Sequence, residues 1–142
     1  QSGSVQAVTL WDPFLAAAES QPGLKNLRDG SGLSNNRTFY LSTARYADEH
    51  RALLKTFFAE LSKVSQWANA KPAEVAALLA PQLGISTQVL EVASERRNYN
   101  AVAITPQIVA EQQKLADTFQ GLGLIPRKLQ VAEAVYPASV LP

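Results

Sequence analysis

The dipeptide Asp12-Pro13 constrains this chain more than any other feature, because two kinds of backbone meet there. Residues 5–11, Val-Gln-Ala-Val-Thr-Leu-Trp, are rich in β-branched and aromatic side chains and too short for a helix, so they predict a buried strand. Asp12 then supplies an N-cap carboxylate, and Pro13 suits a first helical position where no amide hydrogen is required. Phe14-Leu15-Ala16-Ala17-Ala18-Glu19 continues as helix. The junction places Trp11 and Asp12 at the carboxyl end of a strand, where open α/β sheets bind their ligands.

Further along, Gln21-Pro22-Gly23 stops that helix, and residues 24–28 predict a short strand ending at Asp29-Gly30. The polar, Gly-rich stretch 29–36 turns without burying much, and 38–43 returns to strand composition. Beyond Thr43 the pattern is helical. Leu54, Phe57, Phe58, Leu61, Val64, Trp67 and Ala68 recur at three-and-four spacing, which predicts a helix over 44–70 with a kink near His50. Pro72 opens the next helix, with Val75, Leu78, Leu79 and Leu83 inward and Pro81 limiting its length. Ser86 caps a third, carrying Val89, Leu90, Val92 and Ala93 up to Arg96-Arg97, and Asn98-Tyr99-Asn100 breaks it. Thr105 and Pro106 start a fourth that runs to Gly121 and Gly123, and a short helix is expected near 131–135. Strand composition before residue 44 and helices after it predict an α/β, helix-rich fold.

Several segments also resemble a known family. Ser2-Gly3-Ser4-Val5-Gln6-Ala7, then 11–18, Asp29-Gly30-Ser31-Gly32-Leu33, Asn35-Asn36 and Phe39-Tyr40-Leu41, look like the substrate-binding proteins of ABC importers for aliphatic sulfonates, nitrate and taurine. Later, Ala110-Glu111-Gln112-Gln113, Ala116-Asp117-Thr118-Phe119 and Gly123-Leu124-Ile125-Pro126 resemble that family's C-terminal region. The resemblance implies part of a two-lobed, type II periplasmic-binding-protein-like fold, matching its later half and lacking the N-terminal half. On it, 1–32 is the end of the second α/β lobe, and 33–142 is the return crossover with a C-terminal helix-rich segment. It further implies a small-molecule ligand, an alkanesulfonate or similar anion, and a membrane permease as partner. It places the protein in the periplasm or anchored at the cell surface. A lobe without its partner strands is expected to self-associate through uncovered edges and apolar faces.

Six residues are candidates for ligand contact: Trp11, Asp12, Asn35, Asn36, Thr38 and Tyr40. A small anion needs no formal cation if amides, hydroxyls and a helix N-terminus hold it. Asn35, Asn36, Thr38 and Tyr40 are donors of that kind, and the helix from Pro13 offers its first amides. Each has a second reading. Asn35-Asn36 can simply make a turn, and Tyr40 can be a core residue with its hydroxyl at the rim. Asp12 either caps the helix or pairs with the amine of an amino-sulfonate, and Trp11 is either a wall for an alkyl chain or plain core.

Composition excludes other classes. With 13 basic against 12 acidic residues the net charge is +1, and no basic run is longer than the Arg96-Arg97 pair, so nucleic acid is not an expected partner. Without Cys there is no disulfide frame or thiolate site, and the single His50, beside Asp48, Glu49 and Arg51, reads as a solvated surface residue. No metal, cofactor or catalytic residue is expected. Gly30-Ser31-Gly32 lacks a phosphate-loop Lys, and no nucleophile turn occurs. Two other readings stand beside transport: a helical protein–protein interaction module built on 44–70, and a binding protein for a thiamine or pyrimidine precursor in the same lobed fold.

Overall fold

The computed structural model describes residues 3–136. Six α-helices and a 3₁₀ turn follow one another: α1 (Phe14–Glu19), α2 (Ala44–Glu49), α3 (Arg51–Ala70), α4 (Pro72–Leu83), α5 (Thr87–Glu95), α6 (Pro106–Gly121) and the turn Val131–Ala134. Their starts are set by side chains that accept amide hydrogens the helix itself leaves unpaired. Thr43 Oγ1 accepts from the Tyr46 amide at 3.2 Å. Ser86 Oγ accepts from Val89 and Thr105 Oγ1 from Ile108, at 3.4 and 3.3 Å. Pro72 and Pro106 sit in the first turns of α4 and α6, as their missing amide hydrogen allows.

The expected break in the helical run 44–70 falls at His50, whose backbone leaves helical geometry at φ −124°, ψ 32°. Tyr46 and His50 stack edge to face there, with centroids 4.4 Å apart. Pro81 lies inside α4, two residues before its end, and Leu78 and Leu83, expected to face inward, are exposed. The helix continues to Leu83 and closes on Gly84, whose left-handed φ of 66° lets its amide donate to the Ala80 carbonyl. The Gln82 side-chain amide donates to the Leu78 carbonyl at 3.3 Å, a bond from side chain to backbone in the turn that Pro81 interrupts.

The three segments of strand composition, 5–11, 24–28 and 38–43, are not strands: no strand is present among the described residues. β-branched and aromatic side chains favour extended backbone, but a strand exists only when a second backbone runs beside it and shares its amides and carbonyls. None of the three pairs with another.

Two compact units result, each made of discontinuous chain. The first comprises Gln1–Tyr40 and Lys63–Asn100. Its core gathers Ala16 of α1, Ala68 of α3, Val75 and Ala76 of α4 and Leu90 of α5, with Ser65 and Ser94 buried among them. α4 and α5 pack as a helical hairpin, and α1 lies on α5. Asn69 pins the chain after α5: its Oδ1 accepts from the Tyr99 amide and its Nδ2 donates to Asn100 Oδ1, at 2.9 and 2.8 Å. The second unit comprises Leu41–Ser62 and Ala101–Pro142, with Ala47 and Ile108 buried. In it Gln113 on α6 fastens the 3₁₀ turn, donating to the Leu129 carbonyl at 2.8 Å and accepting from the Val131 amide at 2.9 Å.

Candidate functional site

All six candidate residues lie in the first unit. Trp11 immediately precedes the turn into α1, and the residue is 64% exposed. The Trp11 ring meets the exposed Phe14 ring edge to face, centroids 6.0 Å apart, so the two form an apolar platform open to solvent. Plain core burial of Trp11 is therefore not what the fold uses it for.

Asp12 does cap α1, one position earlier than the sequence suggests. Pro13 occupies the N-cap position, and Asp12 Oδ1 accepts the Ala16 amide at 3.1 Å. The neighbouring amides are also taken: Leu15 donates to the Trp11 carbonyl and Ala17 to the Pro13 carbonyl, each at 3.0 Å. Those three amides are therefore not offered to an anion, contrary to expectation. A six-residue helix spends them on its own closure.

Residues 29–36 turn as expected. Asp29 Oδ1 accepts from the Ser31 amide at 2.9 Å, and that backbone bond holds the Asp29 carboxyl below its usual range. Leu33 and Ser34 both donate to the Gly30 carbonyl. Asn36 has φ 42° and its amide donates to Ser34 Oγ at 3.4 Å, so its backbone serves the turn while its side chain is exposed. Asn35 and Thr38 are exposed, and Tyr40 at 57% exposure is no core residue. A shallow depression lined by Asn26, Leu27, Arg28 and Asp29 is the concave side of one loop and includes none of the six.

One residue that sequence reasoning passed over joins this region. Arg96, the C-cap residue of α5, reaches both ends of α1, with Nη1 3.5 Å from Asp12 Oδ1 and Nη2 bonded to Glu19 Oε2. The Glu19 bond, followed by the Asp12 charge, holds the guanidinium above its ordinary pKa. Asn26 Nδ2 donates to the other Glu19 oxygen at 3.4 Å. The only hint in the sequence was an Arg at a helix end, with two acids seven residues apart, one before α1 and one at its end. His50 is exposed, and no group of three or more metal-ligating side chains is present among the described residues.

No family model matches the chain. A search of solved structures finds the periplasmic aliphatic sulphonate binding protein SsuA from Escherichia coli, with a TM-score of 0.82 and 27% identity, covering 90% of this chain and 42% of that one. The chain shares its fold with part of that protein. Curated proteins agree with this placement. An aliphatic sulfonates-binding protein of Escherichia coli (strain K12) is 28% identical over 142 residues, 99% of this chain and 44% of that protein. A second, from Bacillus subtilis (strain 168), is 25% identical over 136 residues, 95% of this chain and 41% of that protein. The chain thus spans less than half the length of the relatives it matches. Among the described residues, no helix is long and apolar enough to cross a membrane.

Proposed function

We propose that the chain belongs to the solute-binding component of an ABC importer for aliphatic sulfonates or related small anions. The component works in the bacterial periplasm or anchored at the cell surface, and hands its ligand to a membrane permease. Binding is reversible cleft closure, with no bond made or broken. The observation that carries this reading is the shared fold with the periplasmic sulphonate binding protein over 90% of the chain. The residue chemistry supports it: the exposed Trp11–Phe14 pair suits an alkyl chain, and Asn35, Asn36, Thr38 and Tyr40 carry uncharged donors of the kind that bond sulfonate oxygens.

The test is calorimetry with ethanesulfonate on the protein that carries this chain. Wild type is expected to bind. Loss of one donor to a charged group costs roughly 1.5–3 kcal/mol, so Asn36→Ala should weaken binding about tenfold to a hundredfold. Absence of binding to any short alkanesulfonate overturns the reading.

A further inference from the structure

Arg96 links its own segment to residues 84 and 77 positions earlier in sequence, Asp12 and Glu19. Its side chain is 41% exposed, and its Nη1 lies 3.5 Å from the carboxylate of Asp12, the residue next to Trp11. Asp12 Oδ1 is shared between that guanidinium and the Ala16 amide. A carboxylate held this way has two consequences for a ligand lying along Trp11. It repels a sulfonate less than a bare carboxylate would, because a cation sits against it. It is also a poor partner for an ammonium group, which would have to displace Arg96 to reach it. Glu19, the other acid on the same guanidinium, lies at the far end of α1 and is further engaged by Asn26.

We infer that Arg96 is a positioning residue that sets ligand charge preference through Asp12, making this end of the site tolerant of an anion and closed to an amine. The inference rests on the sulfonate reading above and deepens it. It assigns the discrimination between a plain alkanesulfonate and an amino-sulfonate to a side chain that need not touch either one.

Calorimetry with ethanesulfonate and taurine on wild type, Arg96→Met, Asp12→Asn and the double variant tests it. Arg96→Met bares the Asp12 carboxylate, so ethanesulfonate should weaken about tenfold while taurine weakens less, its amine gaining a partner. The double variant should return ethanesulfonate to within about threefold of wild type, since the bared charge is gone. Thermal stability should stay lowered in both, because neither regains the tie between α1 and α5. A purely structural Arg96 gives a different pattern, in which the affinity loss follows stability and Asp12→Asn does not rescue it. Asp12→Asn alone keeps a capping side chain and should tighten ethanesulfonate about threefold, which serves as the deciding measurement should Arg96→Met not fold. An unchanged or weaker ethanesulfonate affinity in Asp12→Asn, no loss in Arg96→Met, or no rescue in the double variant overturns the inference. If wild type binds neither ligand, the sulfonate reading fails first and the Arg96 role falls with it.

Discussion

The helical hairpin α4–α5 and the extended segments of the first forty residues belong to the same compact unit and are built on opposite principles. In the hairpin, backbone hydrogen bonds close within four residues, caps at Ser86 and Gly84 finish the ends, and the apolar faces of two neighbours in sequence cover each other. Ala76 is wholly buried and Leu90 is 3% exposed. In the extended segments the side chains are just as apolar, yet Val5, Val8, Leu27 and Leu33 stay exposed. A helix brings its own hydrogen-bond partners and needs only one packed face, whereas an extended segment needs both a partner backbone and a packed face from elsewhere. Even in the hairpin the burial is one-sided, since Leu78 and Leu83 of α4 stay exposed while Val75, Ala76 and Leu90 are buried.

Matched Leu→Ala substitutions are the strongest way to break that comparison. Leu90→Ala at the hairpin should cost about 2–5 kcal/mol in urea unfolding, through lost burial and a cavity. Leu27→Ala, at 82% exposure in the extended segment 24–28, should stay within about 0.5 kcal/mol. Equal effects would mean that the extended chain is packed in solution and that the contrast is false.

A smaller effect sharpens the point about ends. Ser86→Ala removes the side chain that accepts the Val89 amide and should cost about 0.5–2 kcal/mol, with Ser86→Asp recovering most of it because Asp also caps. If Ser86→Ala is neutral, the hairpin is held by packing alone and the cap is incidental.

The smallest effect concerns acid. Glu74 at the start of α4 is held below its ordinary 4.5 by Lys71 first and then by Trp67 Nε1, a partner on α3. Asp29 is held below 3.8 by Ser31, two residues along the same turn. A depressed folded value means that the unfolded chain binds the proton more readily. The stabilisation is then full above the ordinary value and fades as pH falls through the folded one. Both groups are fully exposed, so the effect is slight and salt should screen it. Glu74→Gln should still flatten the loss of melting temperature below about pH 4.5 more than Asp29→Asn does, because a two-residue turn bond partly survives in the unfolded chain. The reverse order would show that the turn, rather than the hairpin, carries the acid sensitivity.

The candidate site was legible to the same degree as its surroundings. Residue types that suit an anion with an alkyl tail could be read directly, and so could the turn at 29–36. The competition for Asp12 could not be resolved from sequence. Its cap partner Ala16 is four residues away, but its ionic partner Arg96 is 84 residues away, and nothing local to either announces the other. The supposed helix N-terminus for the anion was misjudged because the amides of Leu15, Ala16 and Ala17 are taken by Trp11, Asp12 and Pro13 just upstream, a use that residue types alone do not announce.

What the sequence determined by itself is the list of helices and most of their ends. Thr43, Ser86 and Thr105 each bond an amide three residues on, and Gly84 closes a turn four residues long, so the causes lie within the span they explain. The break at His50 belongs to the same class. What only tertiary structure decided is the pairing across long separations. Arg96 meets both ends of α1, Asn69 holds the Tyr99 amide, and the segments of strand composition run extended without a ladder. Those outcomes depend on which surfaces come to lie side by side, and a side chain's type specifies what it can bond but not which distant partner packing will bring to it.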